Sequence, residues 1–122
     1  MREHNNVFSH NRSDLHAEMS LITKFEDKYG KNSRSLLRNT VLFTTLEPCP
    51  MCLCRIITAG ISEVYYVADD KTGGMVHIYE NLPAIWKEIS NGRIYNKADC
   101  SAILEKAAFD IFAETNGLNS LL

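Results

Sequence analysis

The chain has 122 residues, enough for one compact domain with a modest core. With 13 basic and 15 acidic residues its formal net charge is −2, which gives no electrostatic footprint for nucleic acid or an anionic membrane. No apolar run approaches the ~20 residues that a spanning helix needs, and the polar start MREHNNVFSHNRSD holds no signal-peptide core, so the expected location is cytoplasmic. The basic residues that cluster locally, Lys24, Lys31, Arg34 and Arg38, read as a solvated helix and loop surface.

In chain order, Ser13 or Asp14 is expected to cap a first helix and Gly30 to end it. Leu15, Met19, Ile22, Phe25 and Tyr29 recur at helical spacing and give that helix an apolar face. Val41–Leu46 is β-rich and followed by Pro48 and Pro50, which marks a strand. Pro50 suits the first position of a second helix that runs through Cys52, Ile56 and Ile57 to Gly60. Glu63–Ala68 reads as a second strand, Leu82–Ser90 as a short helix with Pro83 in its first turn, and Ile94–Tyr95 as a short strand. Asp99 is expected to cap a last helix carrying Ile103, Leu104, Ala107, Ala108, Ile111 and Phe112, with Gly117 as its stop. Strands alternating with helices imply an α/β fold with a mainly parallel sheet. No repeat, low-complexity tract or linker interrupts the chain, so residues 1–122 read as a single domain.

Three of the four cysteines, Cys49, Cys52 and Cys54, fall within six residues. In a reducing compartment that spacing points to a metal more than to disulfides. Cys49 and Cys52 stand three apart at a helix start, so both sulfurs can face one point. There the positive end of the helix favours thiolates. His16, at the start of the other helix, supplies an imidazole. Two thiolates and one imidazole suit Zn²⁺, and three protein ligands leave the fourth position open, as a catalytic site requires. Glu18 lies two residues from His16, about 200° around an ideal helix. It therefore fits beside a zinc-bound water rather than among the ligands, where it can move protons. Cys54 points to the other side of its helix and reads as core. Cys100 reads as a small buried apolar residue. His4, His10 and His77 have no partner at metal spacing and read as surface or loop histidines.

His16-Ala17-Glu18 followed by Pro48-Cys49-Pro50-Met51-Cys52 matches the zinc deaminase pattern H-x-E … P-C-x-x-C. With Thr44-Thr45-Leu46-Glu47 ahead of the cysteines, the chain resembles the cytidine deaminase superfamily, in its tRNA adenosine deaminase and guanine deaminase branch. The resemblance covers about residues 4–75 and implies a three-layer α/β/α sandwich around a five-stranded sheet. It also implies that Asn5, eleven residues before His16, hydrogen-bonds the base. Taken alone, Asn5 is a strand-end or turn asparagine. Asp69-Asp70 with Lys71-Thr72-Gly73-Gly74 resembles a loop near the pocket of relatives, which makes either aspartate a candidate for substrate selection. A solvated turn fits them equally.

The chain departs from this pattern at its start. Only 15 residues precede His16 where the family places a helix and two strands. The expectation is an N-terminally incomplete deaminase-like domain, in which the first helix and first strand are absent and the second strand survives at most as its end. Such a sheet has an unpaired edge, so a homodimer or higher homo-oligomer is expected. The expected activity is zinc-dependent hydrolytic deamination of a nucleobase or nucleoside of guanine, cytosine or adenine type, releasing ammonia. The ligands are His16, Cys49 and Cys52, one Zn²⁺ per chain, and Glu18 is the proton carrier. The mildly acidic balance favours a small-molecule substrate over tRNA. The alternative is a non-catalytic zinc-binding module.

Overall fold

The computed structural model describes residues 1–115. Six helices, α1 (Val7–His10), α2 (Ala17–Tyr29), α3 (Ser33–Leu37), α4 (Pro50–Ala59), α5 (Ala84–Ile89) and α6 (Ala102–Thr115), accompany three strands, β1 (Val41–Leu46), β2 (Glu63–Ala68) and β3 (Ile94–Lys97). The sheet order is β1-β2-β3 and both pairings are parallel. Parallel neighbours need a crossover, which α4 supplies between β1 and β2.

The apolar pattern fixes which face each element buries. Leu42 of β1 and Val64 of β2 join Ile22 of α2, Leu37 of α3 and Ile56 and Ala59 of α4 in one core cluster. A second cluster, Leu53, Ile57, Met75 and Leu82, lies on another side of α4. α4 is therefore buried on two sides, with Cys52, Leu53, Ile56 and Ile57 all at 1% exposure or less. Burial on that scale, roughly 1.5–3 kcal/mol per large apolar side chain, holds the helix that starts at the cysteines firmly in place. Arg55 clamps it to α2, bonding Glu26 Oε1 at 2.5 Å and Thr23 Oγ1 at 3.2 Å. α6 contributes nothing to the first cluster and crosses β1 and β2, completing the three-layer α/β/α arrangement.

All three predicted strands are present. The first predicted helix begins later than expected, at Ala17, with His16 as its N-cap. The side chain of Asp14 is instead taken by Arg12, at 2.6 and 3.1 Å, inside a turn that Leu15 N–H closes on Arg12 C=O. No strand end survives ahead of it. Asn5 Oδ1 accepts from Val7 N–H at 2.9 Å, and Asn11 adopts the left-handed conformation (φ 52°) after α1. Local asparagine bonding thus diverts the segment into turns and a single helical turn. The last helix begins at Ala102, past Asp99, and its expected stop, Gly117, lies outside the described residues. Periodicity also missed α3, whose five residues are too few to show one.

Candidate metal centre

Two helix starts meet at the site. Cys49 is the N-cap of α4, Pro50 occupies its first turn, and Cys49 Sγ accepts from Cys52 N–H at 3.5 Å. His16 is the N-cap of α2. Both positive helix ends therefore face the same volume and favour anionic ligands there. His16 Nδ1 stands 3.6 Å from Cys49 Sγ and 3.5 Å from Cys52 Sγ. The three donor atoms all lie within 4.8 Å of one another. A tetrahedral zinc ion with sulfur at about 2.3 Å and nitrogen at about 2.05 Å would separate N from S by roughly 3.6 Å. Both nitrogen–sulfur distances match that geometry, so the residues present fit the ion, and the ring nitrogen turned inward is Nδ1.

The electrostatics agree. The Cys52 thiol hydrogen-bonds the Cys49 sulfur and draws its pKa down to about 6, against the opposing effect of burial. The Cys52 and Met51 N–H groups and His16 help. Cys52 is pushed up, first because it supplies that hydrogen bond, then by burial and by Glu18 and Cys49. Two neighbouring sulfurs at one helix start, one of them made easier to ionise, can give up their protons to a cation.

Glu18 sits in the first turn of α2, half-buried. Its Oε1 accepts from Thr44 Oγ1 at 2.6 Å, and its Oε2 lies 3.5 Å from Cys52 Sγ. It borders the group of donors and is not one of the three. Cys54 is half-buried and packs beside Leu53, Ile57, Met75 and Leu82, and it is not among the three convergent donors. A separate cavity of about 480 Å³ opens between Tyr79, Arg93 and Tyr95 and includes none of the metal-centre residues.

The remaining candidates occupy different settings. Asn5 is exposed, with its Oδ1 used by Val7 N–H. Asp69 pairs with Lys97 at 3.2 Å. Asp70 is 7% exposed and its Oδ1 accepts from Thr72 N, Thr72 Oγ1 and Gly73 N, so its carboxylate closes its own loop. His4 and His10 are exposed. His77 is not simply a loop histidine: its backbone N–H and its Nδ1 both bond Glu47 Oε2, at 3.0 and 2.6 Å.

Glu47 is the residue that sequence reasoning undervalued. It is 2% exposed, and its Oε1 accepts from Asp70 N–H at 3.1 Å. A side chain at Gly74 would collide with its carboxylate, so the loop passes against it on a glycine. Met75 N–H then bonds Pro48 C=O at 2.8 Å. The 70–77 loop is thereby fastened to the two residues that lead into Cys49. A lone acid between an apolar strand and Pro-Cys was the available signal, because a buried carboxylate must find donors nearby.

Comparison with known proteins gives the same picture. The family model of the cytidine and deoxycytidylate deaminase zinc-binding region matches residues 1–68, a span that holds His16, Glu18, Cys49 and Cys52. A tRNA-specific adenosine deaminase of Streptococcus pyogenes serotype M1 is 36% identical over 110 residues, covering 85% of this chain and 61% of the relative. A guanine deaminase of Bacillus subtilis (strain 168) is 38% identical over 85 residues, covering 70% of this chain and 51% of the relative. The chain thus spans about three fifths or less of the length of these curated relatives. Among solved structures, one from a study of A-to-I editing by tRNA:A34 deaminases superposes with a TM-score of 0.63 at 24% identity, covering 88% of this chain and 72% of that one. A guanine deaminase from Nitrosomonas europaea gives 0.62 at 22% identity, covering 94% and 64% respectively. These two likenesses establish the fold, which is that of the cytidine deaminases. The matched region carries a site for one zinc ion per chain, and the chain belongs to the family of the cytidine and deoxycytidylate deaminase zinc-binding region.

Proposed function

We propose that the chain is the metal-bearing domain of a zinc-dependent hydrolytic deaminase that acts on a nucleobase or nucleoside. The observation that carries this reading is the Glu18 carboxylate, held against a His16-Cys49-Cys52 group but not part of it. A structural zinc site needs no such neighbour, whereas hydrolysis needs a group that moves protons. His16, Cys49 and Cys52 would hold the ion, which when bound supplies a water that ionises near neutral pH. Glu18 would carry the water's two protons in turn through Oε2, the first to the ring nitrogen as the oxygen adds to the amine-bearing carbon, the second to the amine as the carbon–nitrogen bond breaks and ammonia leaves. Asn5 is proposed to orient the base. Asp69 and Asp70 are proposed to shape the loop beside it, since both carboxylates already have partners within the chain.

The test is an ammonia-release screen of the zinc-loaded protein over guanine, cytosine, adenine, their nucleosides and nucleotides, and tRNA. Release from a base or nucleoside supports the reading with a small substrate, which the net charge of −2 favours. Release from tRNA alone would keep the reaction and change the substrate. A protein that binds zinc and releases nothing from any member would leave the non-catalytic zinc module.

The metal itself is tested separately. Purified protein is expected to contain about one zinc per chain, and Cys52→Ala to abolish that stoichiometry. Full zinc retention in Cys52→Ala would overturn the ligand assignment.

We further propose that the chain is not a monomer in solution. Among the described residues β1 pairs on one side only, and Phe43 on it is 73% exposed beside Tyr65. Ile103 (84%), Ile111 (65%) and Leu104 (51%) add exposed apolar surface on α6. A free edge beside uncovered apolar side chains favours association. Light scattering at low micromolar concentration is expected to give at least twice the chain mass. A monodisperse monomer with cooperative unfolding would sink the idea.

A further inference from the structure

We infer that Thr44 is a positioning residue, whose hydroxyl decides which oxygen of Glu18 faces the metal centre. The inference rests on the proposed reading in which Glu18 carries protons.

A glutamate on two methylenes has a broad, nearly two-fold final torsion, so nothing in the side chain itself distinguishes Oε1 from Oε2. Here the two oxygens are distinguished. Thr44 Oγ1 donates to Oε1 at 2.6 Å, within the range of a charge-assisted O–H···O⁻ bond, while Oε2 is turned toward Cys52 Sγ. The bond joins two different layers, because Thr44 belongs to the sheet and Glu18 to α2.

Thr44 is well suited to hold still. It is half-buried, it pairs with Tyr66 in the parallel ladder, and its β-branched side chain has few rotamers. Strand alternation leaves Thr45 exposed, so the adjacent threonine cannot substitute for it. The bond also survives the proton cycle. When Oε2 takes a proton, Oε1 remains an acceptor, and Thr44 continues to donate without reorganising. A hydroxyl on a rigid strand thus keeps one oxygen occupied and the other free for chemistry.

The experiment compares zinc-loaded Thr44→Val, Thr44→Ser and Thr45→Val with the unaltered chain, using guanine, cytosine or adenosine, whichever the chain turns over. Valine keeps the shape of threonine and removes the donor. Thr44→Val is expected to lower kcat about tenfold, with KM and zinc affinity within about twofold, because misplacement of a proton carrier acts on the reacting step alone. Thr44→Ser should restore kcat to within about threefold, and Thr45→Val should leave it unchanged. An unaltered kcat in Thr44→Val, or a loss matched by a loss of zinc, would overturn the inference. Crystal structures of the zinc-loaded chain and Thr44→Val supply a readout independent of turnover. Glu18 is expected in one orientation in the first and in more than one in the second, and a single unchanged orientation in both overturns the inference. Failure of the unaltered chain to release ammonia would overturn the deaminase reading, and the crystal comparison would still decide the role of Thr44.

Discussion

Glu18→Gln is expected to lower kcat by a factor on the order of 10²–10⁴ while zinc stays bound. Glutamine has nearly the shape of glutamate, and its amide oxygen can still accept the Thr44 hydroxyl that now bonds Oε1. The group turned toward Cys52 becomes an amide nitrogen, which carries hydrogens of its own and cannot accept and return a proton. His16, Cys49 and Cys52 converge without help from Glu18, so chelator competition should give a zinc affinity close to that of the unaltered chain. Glu18→Ala is expected to lose turnover to at least the same extent, since it removes the carboxylate altogether. Ammonia release at fixed substrate, normalised to bound zinc, is the measurement. Loss of zinc in Glu18→Gln would place Glu18 among the ligands. Residual turnover equal to that of a Glu47 variant would remove it from proton transfer.

The metal centre was legible in the sequence because each of its parts has a local cause. Cys49 and Cys52 converge through three residues of one helix start, with Pro50 fixing that start. His16 and Glu18 share the start of α2, so both side chains reach the same volume beside the cysteines. Strands were legible for a similar reason, since β-branched and aromatic runs bounded by Pro and Gly leave little alternative. The sequence could not show which nitrogen of His16 turns inward, because that depends on where α4 lies against α2.

Contacts between distant segments were not legible. Thr44 and Glu18 are 26 residues apart, and His77 and Glu47 are 30 apart. Such partners are chosen by how β1, α2 and the 70–77 loop stack, and no spacing rule encodes that. The start of α2 failed for a different reason. Ser13 and Asp14 have good capping chemistry, but Arg12 competes for Asp14 and wins with two hydrogen bonds. Local propensity identified a helix start there and missed its position by two or three residues, which is the distance that decides whether His16 caps the helix or lies inside it.

Glu47→Ala is expected to destabilise the fold by about 3–5 kcal/mol, the scale of removing one partner from a buried charged network. Three donors lose their acceptor at once: Asp70 N–H, His77 N–H and His77 Nδ1. Each unsatisfied buried donor costs about 1–3 kcal/mol, and partial access of water to His77, 35% exposed at its side chain, softens the total. Against a typical domain stability of about 5–15 kcal/mol this is a large fraction. Glu47→Gln separates the charge from the shape. If its amide oxygen faces the two His77 donors, its NH₂ meets Asp70 N–H, donor against donor, so a smaller but measurable loss of about 1–3 kcal/mol is expected. The consequence reaches the metal, because the loop held by Glu47 also bonds Pro48 C=O through Met75 N–H, one residue before Cys49. Zinc affinity should therefore fall in Glu47→Ala, whereas it stays constant in Glu18→Gln. Urea unfolding of the zinc-loaded chain, with chelator competition on the same samples, measures both. A loss below 1 kcal/mol in Glu47→Ala with unchanged zinc affinity would mean that the 70–77 loop holds its place without the buried carboxylate.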